Sequence, residues 1–139
     1  MTTSISGVPP DVLQLLEAKI RAMAEFGVNG DKVSVARFYA DNALITDMGE
    51  MWVMGREPID RYWVGMPSFQ EWHLTILDTG GHAEAPYQRL RSTAWLEIDG
   101  NLCVDMGQSL VVWKKQSDGD YRIYVDIYRL TKFEEPKKT

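Results

Sequence analysis

Three aspartates lie inside segments of strand-like composition, where a carboxyl group can do acid–base chemistry. They are Asp47, Asp105 and Asp126. An aspartate in a solvated turn is ionised at neutral pH, whereas burial in an apolar cavity penalises the charged form and moves the pKa toward neutrality. A carboxyl group with such a pKa can accept and donate protons during a reaction. These three residues are therefore the first candidates for a catalytic site.

Asp126 lies in a run over 121–128 in which apolar and polar residues alternate. Because successive side chains of a strand point to opposite faces, Tyr124, Asp126 and Tyr128 are expected on one face. If that face borders a cavity, the two phenols can donate hydrogen bonds there. The alternative is an exposed or subunit-interface face, on which Asp126 pairs with an arginine of a neighbouring strand.

The other two aspartates also have two interpretations each. Asp105 shares one face of the segment 102–113 with Ser109, unless a bulge intervenes. It either faces a cavity or lies at the rim, close to the turn at Asp99. Asp47 ends a short strand before Gly49, and it is either a catalytic carboxylate or a turn residue in solvent.

The remaining reactive side chains are few. His73 begins a predicted strand, where it either shuttles protons or is a satisfied structural histidine. His82 follows Gly80-Gly81 in a predicted loop. Neither histidine has a metal-ligand spacing, no glycine-rich phosphate loop is present, and a lone Cys103 in a strand is typically a small buried hydrophobe. The sequence therefore predicts a site without metal or cofactor.

Aromatic and methionine side chains are numerous, with 5 Trp, 6 Tyr, 4 Phe and 7 Met. Most must pack in the core, but some are expected to line an adaptable apolar pocket. Such a pocket suits a flat or polycyclic substrate better than a sugar or a nucleotide. The residues expected to bind the substrate are Met23, Tyr39, Trp52, Trp63, Ser109, Tyr124 and Tyr128.

Helices are predicted in the first half of the chain and strands in the second. Apolar residues recur every three or four positions over 9–26, and Gly27 ends this amphipathic helix. Asp31 is a candidate N-cap for a shorter helix whose apolar face extends to Tyr39. A third helix is predicted over 56–65. The predicted strands cover 43–48, 51–54, 71–77, 89–98, 102–113 and 121–131.

The order of these elements predicts the fold class. Asp99-Gly100 and Asp118-Gly119 lie between the last three strands, and Asp-Gly is a strong hairpin signal. Helices followed by an antiparallel meander indicate an α+β fold. We expect a curved antiparallel sheet packed against three helices, with a cone-shaped cavity between the layers where small ligands bind.

Length and composition limit the function classes. A chain of 139 residues, 45% apolar and 25% charged, fits a single domain over 1–139. The net charge of −5 argues against nucleic acid as a partner. No signal peptide or membrane-length apolar run is recognised, and one cysteine makes no disulfide framework. We therefore expect a cytoplasmic protein without a membrane partner.

Several short motifs lie in an order that is typical of one superfamily. They are Gly30-Asp31, Phe38-Tyr39-Ala40-Asp41-Asn42-Ala43, Gly55-Arg56-Glu57 with Ile59 and Tyr62-Trp63, Asp118-Gly119, Tyr121-Arg122-Ile123 and Asp126-Ile127-Tyr128. With these residues the chain resembles the nuclear transport factor 2-like fold, and within it the SnoaL-like polyketide cyclases and ketosteroid isomerases. The resemblance spans nearly the whole chain. It implies a SnoaL-like domain and, because family members often pair through the outer sheet face, a homodimer.

The ketosteroid isomerases supply a role for Asp47. In them the segment that matches 39–47 ends in the carboxylate that moves the substrate proton, so the resemblance implies that Asp47 is the general base. Ser109 falls near the position of their protonated oxyanion-hole aspartate. The first-helix tyrosine that completes that hole is replaced here by Met23.

The epoxide hydrolases of the same fold supply a role for Asp126. Their aspartate at the matching position is a catalytic acid. It works with an arginine and a second aspartate two residues apart on an earlier strand. Those two positions correspond here to Ala94 and Leu96, so the set of three catalytic residues is absent.

Residues and resemblance together predict a cofactor-free acid–base enzyme that isomerises, cyclises or dehydrates a small apolar carbonyl compound, such as a polyketide or terpenoid intermediate. Asp47 would remove the proton beside the carbonyl, and a protonated Asp126 or Asp105 would donate to the developing enolate oxygen. The alternative is a non-catalytic module that binds a hydrophobic ligand or dimerises. An epoxide hydrolase is the third possibility.

Overall fold

The computed structural model describes residues 4–5 and 7–134. The elements in chain order are β1 (Ser4–Ile5), α1 (Pro10–Val28), α2 (Lys32–Ala36), β2 (Tyr39–Thr46), β3 (Trp52–Met54), α3 (Arg56–Val64), β4 (Ser68–His82), β5 (Ala85–Ile98), β6 (Asn101–Lys115) and β7 (Tyr121–Glu134). The predicted α+β class is confirmed, with all three described helices in the N-terminal half.

The helices form where the sequence predicts them. Pro10 lies in the first turn of α1, where a missing N–H is tolerated. The buried stripe of α1 includes Leu16, Ile20 and Met23, at the spacing that places side chains on one helix face. Asp31 caps α2 through its side chain, which accepts from the backbone N–H of Ser34 at 3.1 Å. The cap fixes the start of α2, and the buried stripe fixes which side of α1 packs into the core.

The prediction that Tyr39 lies on the second helix is wrong. α2 ends at Ala36, and Tyr39 is the first residue of β2. The chain leaves the helix there because the backbone of Phe38 bonds to β7 instead, its carbonyl accepting from the N–H of Ile123 at 2.8 Å. Sheet pairing therefore overrides the helical spacing and places the Tyr39 side chain in the core, 1% exposed.

The strands form one curved, unclosed sheet in the order β1-β4-β5-β6-β7-β2-β3. β4 to β7 are antiparallel neighbours, while β2 joins β7 in parallel. The hairpin predicted at Asp99-Gly100 is present, with both residues at positive φ. β4 is longer than predicted and runs through Gly80-Gly81 to His82, so His82 lies at a strand end rather than in a loop.

Several β-bulges change which side chains of the sheet face the helices. β5 alternates regularly, and its even-numbered residues from Gln88 to Leu96 are buried. The alternation of β7 is interrupted. Trp113 of β6 pairs with Ile123, but the residue before it, Val112, pairs with Val125 and not with Tyr124. Tyr124 is the extra residue of this bulge.

The sheet and the helices enclose the core. Its largest fully buried side chains include Trp113, Tyr39, Leu16, Ile45 and Ile59.

In the part of the chain that the structure describes, no helix is long and apolar enough to cross a membrane. The homodimer stays a prediction.

The two leucines at positions 15 and 16 test this packing. Leu16 is fully buried and Leu15 is 39% exposed. We expect Leu16→Ala to lower the free energy of unfolding by about 2–5 kcal/mol, because it removes buried methyl groups and leaves a cavity. Leu15→Ala is the matched control and should change it by less than about 1 kcal/mol. Urea unfolding measures both, and equal effects would contradict the described orientation of α1.

Candidate functional site

A partly enclosed cavity lies between the helices and the concave side of the sheet. The volume of this cavity is about 80 Å³. Most of its walls are apolar, and its polar groups are few. Its lining residues are Met23, Tyr39, Ile45, Tyr62, Trp63, Met66, Phe69, Trp72, Leu74, Leu90, Ser92, Ala94, Leu96, Asp105, Ser109, Val111, Asp126 and Tyr128. Such a cavity fits a small, mostly apolar molecule.

Asp126 is the most buried carboxyl group of this cavity, 8% exposed as a residue. The hydroxyl of Tyr39 donates to its Oδ2 at 2.6 Å, while its Oδ1 has no hydrogen-bond partner among the described residues. Burial raises the pKa of Asp126 to about 6, although the hydrogen bond from Tyr39 and the nearby Ser109 hydroxyl lower it. A carboxyl group with this pKa exchanges protons readily near neutral pH.

A second carboxyl–phenol pair lines the same cavity. The hydroxyl of Tyr128 donates to Oδ1 of Asp105 at 2.6 Å. Burial, followed by the bond to Asp105, raises the pKa of Tyr128, so this phenol stays protonated. The Tyr128 ring fits here because Gly107 has no side chain: a Cβ on Gly107 would overlap the phenol.

Tyr62 of α3 brings a third phenol to the cavity. Burial raises its pKa, and the negative charges of Asp126 and Asp105 raise it further. Tyr62 therefore remains a neutral hydrogen-bond donor near both carboxyl groups. Sequence analysis missed this role, although its place beside Trp63 in a resemblance motif was a signal.

Arg56 holds Tyr39 and α3 in register. At the start of α3, its Nη1 donates to the backbone carbonyl of Tyr39 at 2.8 Å, and its Nη2 donates to that of Ala36. The same guanidinium binds Oδ1 of Asp60 one turn later in α3. Since Arg56 joins the end of α2, the start of β2 and α3, it positions the phenol that binds Asp126.

The structure brings seven of the predicted site residues together. They are Met23, Tyr39, Trp63, Asp105, Ser109, Asp126 and Tyr128. Four others do not line the cavity: Asp47, Trp52, His73 and Tyr124.

Asp47 lies in the exposed β2–β3 turn, and Trp52 is the first residue of β3. Oδ1 of Asp47 accepts from the backbone N–H groups of Gly49 at 2.7 Å and Met51 at 3.1 Å. This is the turn arrangement that the sequence left open as the alternative. Trp52 is 57% exposed, and its Nε1 donates to the carbonyl of Gly49. Asp47 therefore lies at the surface, although its charge still acts on Tyr62.

His73 and Tyr124 do not line the cavity, because their strands turn these two side chains to the other face of the sheet. His73 is exposed between the inward-facing Trp72 and Leu74, and its Nε2 lies 3.5 Å from a carboxylate oxygen of Glu71. The prediction that Tyr124 shares a face with Asp126 is wrong. The bulge in β7 turns Tyr124 outward, where the ammonium of Lys114 lies 4.8 Å from its ring centre.

The described residues contain no group of three or more His, Cys, Asp or Glu side chains that could hold a metal ion. Cys103 is buried. The polar groups of the cavity are thus carboxyls, phenols, hydroxyls and indole N–H groups, which can bind and move protons. The absence of a cofactor stays a prediction.

Comparison with known proteins supports the fold. No protein-family model and no curated protein matches the chain. Among solved structures, a scytalone dehydratase-like protein from Novosphingobium aromaticivorans has a TM-score of 0.76 at 11% identity, over 91% of this chain and 89% of that one. A ketosteroid isomerase-like protein from Erwinia carotovora has a TM-score of 0.75 at 15% identity, over 89% and 99%. An NTF2-like protein with a cystatin-like fold is also similar, with a TM-score of 0.63 at 11% identity, over 85% and 80%.

The chain has the nuclear transport factor 2-like fold. At these identities the similarity describes the scaffold and leaves the chemistry open. The four positions at which the sequence departs from the isomerases and epoxide hydrolases are Met23, Ala94, Leu96 and Ser109, and all four line the cavity. None of these four residues has an ionisable side chain, so the cavity has no acid or base at these positions.

The raised pKa of Asp126 predicts a pH dependence of stability. The folded protein binds this proton up to about pH 6, whereas the unfolded chain releases it near 3.8. Between these values the unfolded state binds fewer protons, so this group makes the free energy of unfolding fall as pH rises from about 4 to 6, by on the order of 2–3 kcal/mol. Asp126→Asn should remove this decline, as measured by urea unfolding at several pH values. Identical pH profiles for both proteins would contradict the burial of Asp126.

Gly107 provides a test of the Tyr128 position. Gly107→Ala should lower the free energy of unfolding by about 1–3 kcal/mol, because the added methyl group overlaps the phenol. In a Tyr128→Ala background the same change should have little effect. A double-mutant cycle measured by urea unfolding gives this coupling, and its absence would mean that Tyr128 does not lie across Gly107.

Proposed function

We propose that this protein is a cofactor-free acid–base enzyme that moves a proton within a small apolar carbonyl compound, in an isomerisation, cyclisation or dehydration. A polyketide or terpenoid intermediate has the required chemistry. The observation that carries the proposal is the buried carboxyl of Asp126, which lines an apolar cavity and has one oxygen without a partner. This group, rather than the exposed Asp47, is assigned the proton transfer.

The reaction begins when ionised Asp126 accepts a proton from the carbon beside the carbonyl. The electron pair of that C–H bond moves into the enolate, and negative charge develops on the carbonyl oxygen. Asp126 then returns the proton to another carbon or to a leaving hydroxyl group. Tyr39 holds the carboxyl through Oδ2 at 2.6 Å, which leaves Oδ1 for the substrate.

The developing oxygen charge needs hydrogen-bond donors that are already in place. Tyr62 and Tyr128 line the cavity, and their raised pKa values keep both phenols protonated. Tyr128 is oriented by its bond to Asp105. We assign Tyr62 as the donor to the substrate oxygen and the Asp105–Tyr128 pair as the second polar wall.

A hydrophobic-ligand-binding module is the second candidate function. The observation that favours it is the pairing of each cavity carboxyl with a tyrosine, because such pairs satisfy buried groups without any reaction. An epoxide hydrolase is less well supported, since Ala94 and Leu96 occupy the cavity positions where its arginine and second aspartate would lie.

The proposal is tested by proton abstraction itself. Exchange of the hydrogens beside the carbonyl of 2-tetralone, a flat apolar ketone, is followed in D₂O by NMR after subtraction of the uncatalysed rate. The protein should accelerate this exchange, and Asp126→Asn should reduce the acceleration by at least about 10², the contribution typical of a general base. Because the base must be ionised, the rate should rise through about pH 6 and then level off.

Two further variants make the result specific. Asp118 lies between β6 and β7 with a side chain that is 61% exposed, so Asp118→Asn should exchange as fast as the unmodified protein. Asp47→Asn should lose less than tenfold. A large loss in Asp47→Asn with none in Asp126→Asn would return the base role to Asp47, whereas binding of 2-tetralone without any acceleration would favour the ligand-binding module.

A further inference from the structure

Two buried side-chain atoms in the described part of the chain have no hydrogen-bond partner. They are Nε1 of Trp63 and Oδ1 of Asp126. Buried polar groups nearly always have a partner, because an unpaired donor or acceptor loses its hydration without compensation. Trp63 and Asp126 both line the cavity, where a ligand can supply the missing bonds.

The two atoms belong to one corner of the cavity, because both side chains adjoin Tyr39. The Tyr39 hydroxyl bonds to the other oxygen of Asp126 at 2.6 Å. The rings of Tyr39 and Trp63 have centres 5.9 Å apart. Burial and the Asp126 carboxyl raise the pKa of the Tyr39 phenol, and the nearby indole N–H of Trp63 opposes them. The corner thus offers one acceptor and one donor, both close to the Tyr39 hydroxyl.

We propose that this corner binds a hydroxyl group of the substrate, which donates to Oδ1 of Asp126 and accepts from Nε1 of Trp63. The substrate class is then a carbonyl compound that also carries an alcohol, enol or phenol hydroxyl on its apolar skeleton, and Trp63 is a specificity-determining residue. A carbonyl or ether oxygen accepts but cannot donate, so it would leave the ionised carboxylate unpaired. An ammonium group donates but cannot accept, so it would leave the indole unpaired. This inference rests on the proposed function for the placement of Asp126 beside the reacting group.

The cavity wall formed by β4 and β5 offers a hydroxyl group no comparable site. Leu74, Leu90 and Ala94 on the sheet present only apolar atoms. The indole N–H of Trp72, which also lines the cavity, already donates to the Ser92 hydroxyl at 3.0 Å. A hydroxyl group elsewhere along this wall would therefore lose its hydration without gaining a comparable pair of bonds.

The test compares two probes of nearly equal shape, 2-naphthol and 2-methoxynaphthalene. Their binding at pH 8 is followed through the indole N–H signals of protein labelled with ¹⁵N at tryptophan, with the Trp63 signal assigned from Trp63→Phe. We expect 2-naphthol to bind about tenfold more tightly or better, the effect of one or two buried hydrogen bonds, and to shift the Trp63 signal. Equal affinities, an unmoved Trp63 signal on binding, or no binding of 2-naphthol would overturn the inference.

Two variants separate the hydrogen bond from the packing. Asp126→Asn keeps the size of the side chain but removes the ionised acceptor that only 2-naphthol can use, so it should lose most of the preference for 2-naphthol. Trp72→Phe removes area from the same cavity and keeps both Asp126 and Trp63, so the preference should remain. Loss of the preference in both variants would mean that it arises from cavity shape alone.

The binding experiment does not depend on turnover, so its failure is distinct from failure of the proposed function. A hydroxyl preference without catalysed exchange of 2-tetralone would support the corner and contradict the enzyme. Catalysed exchange that requires Asp126, with no preference between the naphthalene probes, would support the enzyme and contradict the corner.

Discussion

The burial of the Asp126 carboxyl within an apolar cavity is the constraint on which the site depends. A charged group in such a place is unfavourable unless its partners are provided, and Tyr39 provides one of them at 2.6 Å. Tyr39 is held in turn through its backbone carbonyl by Arg56. The hydrogen bond therefore connects β7 to β2, and through Arg56 to α3, so that the scaffold and the reactive group are stabilised together.

The bulge in β7 lets one strand serve both the core and the site. Ile123 is fully buried opposite Trp113, and Asp126 lines the cavity three residues later. In a regular strand, residues three apart point to opposite faces. The extra residue, Tyr124, absorbs this difference and turns its own ring toward Lys114 on the outer face. Bulges commonly re-aim side chains in this way next to functional sites.

The cavity differs in its chemistry from the isomerases and epoxide hydrolases that the sequence resembles, although the fold is the same. The resemblance places Met23, Ser109, Ala94 and Leu96 at the positions of their catalytic partners, and all four line the cavity. The ionisable groups come instead from β2, β6, β7 and α3, as two carboxyl–phenol pairs and the phenol of Tyr62. One scaffold can hold different chemistries because the activity depends on the side chains of the site rather than on the fold.

The sequence by itself determined most of the elements and part of the cavity wall. Helical spacing predicted α1 and α3, the Asp-Gly pairs predicted two hairpins, and regular alternation in β6 placed Asp105 with Ser109, because these signals are local. Tertiary structure decided the roles of Asp47 and Tyr124 and the strand position of Tyr39. A turn residue and a cavity residue have the same local pattern, and a bulge reverses strand facing without a distinct sequence signal. The contact between Tyr39 and Asp126 joins residues 87 positions apart, so it exists only once the sheet has formed.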